Sequence, residues 1–205
     1  MEKVKGRSLW VHAVSVGEVQ AAFPLIREMR RSGCRLPILL STVTETGQAM
    51  AKRLMDVDLD VILFAPWDIA SAVDRALNAI NPCAYITMET EIWPNILLQL
   101  HQRGIPSFFF FFRVSDRALA RAVRWIKGVF SRLLRCFTRI LARENSDADR
   151  FCSIGAEASA VTVVGDCKVD ALLERRGGVD RQMWKDRLYL ERCVSGSDGA
   201  SPLFL

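Results

Sequence analysis

Short apolar, β-branched runs alternate with segments whose apolar positions recur at helical spacing, and this alternation leaves the chain few folds to choose from. Leu9–Val14, Pro37–Thr42, Val61–Phe64, Cys83–Met88, the phenylalanine-rich run Ile105–Phe112 and Arg139–Ala142 read as strands. Val19, Ala22, Phe23, Ile26 and Met29 mark a first helix, in which Pro24 predicts a kink or a late start. Thr44-Glu45-Thr46-Gly47 leads into a second that runs to about Met55, and Asp68 reads as the N-cap of a third through Ile80. Pro94–Arg103, stopped by Gly104, forms a fourth, and a long basic helical stretch runs from about Ser115 to Cys136, broken near Gly128. Six strands alternating with helices predict an α/β fold with a doubly wound, mostly parallel sheet and right-handed crossovers. Ser146 reads as the cap of a short helix through Ser153, and Ala160–Val164 as a last strand.

Residues 1–174 therefore read as one domain. Beyond it, Arg175-Arg176-Gly177-Gly178 looks like a linker, Val179–Leu190 a single helix, and the apolar end Pro202-Leu203-Phe204-Leu205 a strand cut short. With 50% hydrophobic residues the chain has ample material for a core. Six cysteines occur without a Cys-x-x-Cys pair, which argues for a reducing compartment and against a zinc site. His12 and His101 are isolated from each other and read as structural. Met1–Arg7 is polar and basic, so no secretory signal is expected, and Ile105–Phe112 is far shorter than the roughly 20 residues of a spanning helix.

Two stretches carry candidate chemistry. In Ile86-Thr87-Met88-Glu89-Thr90-Glu91-Ile92-Trp93-Pro94-Asn95, a buried strand ends in Glu-x-Glu just before a helix that Pro94 can start. Acids so placed lie at the carboxyl edge of the sheet, where open α/β sheets bind ligands. Glu89 and Glu91 either face the cleft or form a structural ion pair, with Arg113 at the end of the adjacent strand as the best partner. The second stretch is the turn Ser15-Val16-Gly17-Glu18 after the first strand. Near a helix N-terminus the Glu18 carboxylate is favoured as the anion, able to take a proton from an attacking sugar hydroxyl, or it merely caps backbone N–H groups.

Charge is concentrated locally. Arg113–Arg139 holds eight basic residues against Asp116 alone, a charge of +7 in a chain of net +5, interleaved with Trp125, Ile126, Val129, Phe130, Leu133, Leu134 and Phe137. This fits a membrane surface with anionic head groups, nucleic acid, or a plain solvated helix face. No nucleic-acid-binding motif occurs elsewhere, and no Gly-x-Gly-x-x-Gly, Walker loop or Gly-x-Ser-x-Gly elbow is present, which disfavours dinucleotide oxidoreductases, P-loop NTPases and α/β-hydrolases.

Taken together, His12-Ala13-Val14-Ser15-Val16-Gly17-Glu18, Ser41-Thr42-Val43-Thr44-Glu45-Thr46-Gly47, Met88-Glu89-Thr90-Glu91-Ile92-Trp93-Pro94-Asn95 and Gly165-Asp166-Cys167-Lys168-Val169-Asp170 resemble the 3-deoxy-D-manno-octulosonic acid (Kdo) transferases. The resemblance covers about residues 8 to 190. It implies the Rossmann-like, acceptor-binding N-terminal half of a GT-B glycosyltransferase that moves Kdo from CMP-Kdo to a lipid A precursor, with no metal or other cofactor. It places the protein at the cytoplasmic face of a bacterial inner membrane, peripherally, through the basic stretch 113–139, and gives it no nucleic-acid partner. Glu18 matches the general base, and Ser15, Gly17, Glu89, Glu91, Asn95, Arg113 and Lys168 the substrate-binding positions. Residues 175–205 become a linker, a helix and the truncated start of the donor-binding domain, so the chain alone is expected to be inactive. The alternative is a non-catalytic module that binds an anionic lipid or sugar phosphate.

Overall fold

The computed structural model describes residues 7–55, 58–89, 92–110 and 128–165. Seven strands, β1 (Ser8–His12), β2 (Ile38–Thr42), β3 (Val61–Phe64), β4 (Pro82–Met88), β5 (Ser107–Phe110), β6 (Arg139–Ala142) and β7 (Val161–Val163), form one sheet in the order β3-β2-β1-β4-β5-β6-β7. Every pairing is parallel. The helices are α1 (Val16–Arg31), α2 (Glu45–Met55), α3 (Ala70–Ile80), α4 (Pro94–Gln102), α5 over residues 128–134, and α6 (Asn145–Ser153).

The central strands read as near-continuous apolar runs because both faces of the sheet are covered. Alternation then decides which side chain enters which core. Leu9 and Val11 of β1 join Ile38, Leu40, Ile86 and Met88 with α1 and α2, while Trp10 joins Leu39 and Tyr85 under α3, α4, α5 and α6. Trp10 and Tyr85 are fully buried and meet edge to face at 4.9 Å, the favoured geometry for paired rings. Each such side chain contributes about 1.5–3 kcal/mol by leaving water.

Two capping expectations are corrected. Asp68 does not start α3: the residue at that N-cap is Ile69, and the Asp68 carboxylate instead accepts from backbone N–H groups of α4. Ser146 does not cap α6 either, because the helix begins two residues earlier, with Glu144 at the N-cap, and the Ser146 hydroxyl donates to the Glu144 carboxylate at 2.8 Å. That bond, aided by Arg143, holds the Glu144 carboxyl below its ordinary range. Pro24 does not delay α1, which begins at Val16. The stop after α4 is as expected, with Gly104 at φ 64°, a conformation that costs glycine little. The linker, the Val179–Leu190 helix and the chain end lie outside the described residues, as does most of the basic stretch before Gly128.

Candidate functional site

The strand order reverses between β1 and β4: from β1 the chain proceeds outward through β2 and β3, and from β4 in the other direction through β7. In open parallel sheets the crevice beyond the strands' carboxyl ends at such a reversal is where ligands bind. His12 at the end of β1 is in register with Thr87 of β4, so the turns carrying Glu18 and Glu89 leave the sheet from neighbouring strand ends. Among the described residues, five of the eight buried polar ones, His12, Glu18, Ser41, Thr42 and Thr87, lie toward this edge.

The turn after β1 closes upon itself. Ser15 is the N-cap of α1 in extended backbone, and Glu18, in the helix's first turn, reaches back so that its Oε2 accepts the Val14 N–H at 2.6 Å and its Oε1 the Ser15 hydroxyl at 3.2 Å. This is a variant of the capping box, shifted by one residue toward the strand. Glu18 is 6% exposed, and its charge sits where the α1 dipole favours an anion. These two bonds orient the carboxylate. The neighbouring turn locks on: Val43 and Thr44 N–H groups and the Thr44 hydroxyl all donate to the Val14 carbonyl. Gly47 permits this packing, since a Cβ there would lie 2.8 Å from Thr44 Oγ1 and 3.1 Å from the Val14 carbonyl oxygen. Gly17 has open space where its Cβ would be.

The turn after β4 is built differently. Glu89 has φ 55°, a left-handed conformation unusual for a residue with a side chain, and its N–H donates to the Phe110 carbonyl at the end of β5 at 2.6 Å. Strain of this kind persists where surrounding contacts over-determine it, often at functional sites. Trp93 follows and stands edge-on to the His12 ring at 5.6 Å. His12 is completely buried, its Nδ1 bonded to the Ser41 hydroxyl at 2.8 Å, and burial pushes its pKa down to about 4, partly opposed by hydrogen bonding to the Ser41 backbone. It is therefore neutral at physiological pH. The isolated histidine expected to be structural thus joins the two turns, while its Nε2 and the Trp93 Nε1 have no hydrogen-bond partner.

Among the expected site residues, Ser15, Gly17 and Glu18 share the first turn and Glu89 opens the second. Asn95 points away from them: its amide donates to the Asp68 carbonyl at 2.6 Å, and it lines a shallow groove of about 500 Å³ between α3 and α4. Glu91, Arg113 and Lys168 lie outside the described residues. Of the basic stretch, residues 128–139 are described, and there Leu133, Leu134 and Phe137 enter the core while Arg132, Arg135 and Arg139 face solvent. The apolar side of that part packs on the protein itself, as an amphipathic helix of any globular domain does. Sequence reasoning missed Asp147, 1% exposed in the first turn of α6 and paired with Arg150 at 3.2 Å.

Residues 1–171 match the family model described as 3-deoxy-D-manno-octulosonic-acid transferase (kdotransferase). The chain is 35% identical over 169 residues to the 3-deoxy-D-manno-octulosonic acid transferase of Bordetella pertussis, covering 80% of this chain and 38% of that protein. It is 29% identical to that of Haemophilus influenzae, covering 97% and 47%. The chain thus spans less than half the length of these relatives. Among solved structures, the UDP-GlcNAc 2-epimerases of Neisseria meningitidis and Methanocaldococcus jannaschii share its fold, with TM-scores of 0.59 and 0.60 at 15% and 14% identity. They align over 82% and 81% of this chain and 49% and 47% of their own.

Proposed function

Since the chain belongs to the 3-deoxy-D-manno-octulosonic acid transferase family, we propose that it is the acceptor-binding half of an inverting glycosyltransferase that moves Kdo from CMP-Kdo to a lipid A precursor. The observation that carries this is the meeting of the Ser15–Glu18 turn and the Glu89 turn at the carboxyl edge where the strand order reverses. Glu18 acts as general base. As the acceptor hydroxyl oxygen bonds to the anomeric carbon of Kdo, its proton passes to the Glu18 carboxylate and the bond to CMP breaks on the opposite face, with CMP leaving as the anion. Val14 and Ser15 keep the carboxylate in place for that transfer. Glu89 and Glu91 form the acidic wall of the acceptor cleft, and Arg113 and Lys168 bind the acceptor's anionic groups.

The donor is held by a second domain of the kind the longer relatives have room for. The protein works peripherally at the cytoplasmic face of the inner membrane. Phe64, Trp67 and Ile69, exposed by 50%, 80% and 60% at the carboxyl edge of the sheet, offer an apolar surface to the membrane in this reading, while the exposed Arg132, Arg135 and Arg139, which suit anionic head groups, stand where α5 ends and β6 begins, at the opposite edge. No helix among the described residues is long and apolar enough to cross a membrane. A second reading, a non-catalytic module for an anionic lipid or sugar phosphate, is favoured by the capping bonds that the Glu18 carboxylate already makes.

Glu18→Gln in a protein completed with a donor domain separates the two. An amide keeps an oxygen for the Val14 N–H but cannot serve as the base, so transfer falls about 10²- to 10⁴-fold while precursor binding persists. Unchanged turnover in Glu18→Gln would remove Glu18 as the base, and measurable transfer by the unextended chain would show that the donor site is complete within it.

A further inference from the structure

The first turn of α4 cannot be capped by its own N-cap, because Trp93 has no acceptor and makes no side-chain cap bond. Its free backbone donors are met from elsewhere. Asp68, on the loop between β3 and α3, presents Oδ2 to the Asn95 N–H at 3.1 Å and Oδ1 to the Ile96 N–H at 3.0 Å. Asn95 returns the contact through its Nδ2, which donates to the Asp68 carbonyl at 2.6 Å, and Gln99 Nε2 adds a bond to the Ala70 carbonyl at 2.8 Å. The bonds to Asp68 bridge 27 or 28 residues of chain. Trp67 and Ile69, on either side of Asp68, are 80% and 60% exposed, so polar bonds rather than apolar burial place this part of the loop.

The position of this clamp gives it consequence. The acidic motif leaves β4 at Glu89, pinned to β5 by the bond to Phe110, and re-enters regular structure at Pro94, just before Asn95 and Ile96, the two residues Asp68 holds. A carboxylate at a helix N-terminus is favoured by the helix dipole as well as by its two hydrogen bonds. We propose that Asp68 is the positioning residue of the acceptor site: by capping α4 from the β3–α3 loop it fixes where the acidic motif enters that helix and so helps set how Glu89, at the motif's other end, meets the acceptor. This rests on the acceptor-binding reading above. Asp68 itself touches no reacting atom in this scheme.

The test compares Asp68→Ala and Asp68→Asn in the 205-residue chain by amide hydrogen exchange, backbone NMR and binding of a synthetic lipid A precursor in micelles. In Asp68→Ala, exchange at Asn95 and Ile96 rises at least tenfold, the Glu89 amide resonance shifts, Val73 and Leu77 of α3 keep their protection, and precursor binding weakens about tenfold. Asp68→Asn, which keeps one acceptor oxygen, falls between the two in every readout. Unchanged exchange at Asn95 and Ile96 overturns the clamp. Faster exchange with precursor binding within twofold of wild type overturns the positioning role, leaving only a structural cap. If the wild type binds no precursor, the acceptor reading fails by itself, and the positioning of the motif is judged on the Glu89 resonance: it stands if Asp68→Ala shifts it more than Asp68→Asn, and falls if it does not move.

Discussion

The two acidic turns at the carboxyl edge of the sheet are neighbours in space and opposites in construction. The first holds its own glutamate: Glu18 is bonded to Val14 and Ser15, four and three residues away, in ordinary helical backbone. The second is held from outside. Glu89 adopts a left-handed conformation tied to β5, Trp93 packs on His12 of β1, and Asn95 and Ile96 are capped by Asp68 from the β3–α3 loop. A carboxylate proposed as the base, which must lie in one orientation, is suited by a short, local brace. A wall that several strands share is better set by those strands, and its geometry then depends on contacts distant in sequence.

The largest effect expected to break this arrangement is protonation of His12, the residue common to both turns. Its pKa lies near 4 in the folded protein against about 6.5 when unfolded. Between those values the unfolded chain binds the proton and the folded one does not, so stability is complete above about pH 6.5 and falls as pH drops toward 4. The slope is at most about 1.4 kcal/mol per pH unit, or about 3 kcal/mol across the window. Urea unfolding of wild type and His12→Gln at pH 7 and pH 4 isolates this from the carboxylates, and the wild type should lose about 3 kcal/mol more than the variant. A constant difference between them at the two pH values would mean that His12 is not buried in its neutral form.

A smaller effect tests the first turn. Glu18→Ala removes the acceptor of two hydrogen bonds at a helix start, which costs about 1–2 kcal/mol. Glu18→Gln should recover more than half of that in denaturant unfolding. Equal losses for alanine and glutamine would show that the negative charge, rather than the hydrogen bond to Val14, is what the turn requires.

The same contrast decides what the sequence made legible. The alternation of periods placed the seven strands to within a few residues, because a buried parallel strand must be apolar on both faces. The Ser15-x-x-Glu18 pattern was readable because a capping box is local. Asp68 was recognised as a capping residue and given the wrong helix: the adjacent helix is the default partner, and nothing in sequence reveals a cap that reaches across to α4. The apolar residues of the basic stretch are ambiguous for a related reason, since Leu133, Leu134 and Phe137 show the same helical spacing whether they face a membrane or, as here, enter the core, where Phe137 stacks on Phe109. His12 gave no signal at all, since its role depends on Ser41 and Trp93 arriving from other elements.

The smallest predicted effect is also the sharpest measure of how the two turns differ, because its sign inverts between them. At Glu89, alanine and glycine both delete the carboxylate, but only glycine is at ease at φ 55°, so Glu89→Gly should be more stable than Glu89→Ala by about 1 kcal/mol. At Glu18 the backbone is helical, and glycine there adds chain entropy to the cost of folding, so Glu18→Gly should be less stable than Glu18→Ala by about 1 kcal/mol. Four variants and one urea series give both differences under one set of conditions. If glycine is the worse residue at both positions, the Glu89 backbone is not left-handed in solution. The second turn would then be an ordinary strand end, with no stored strain for β5 and Asp68 to hold in place.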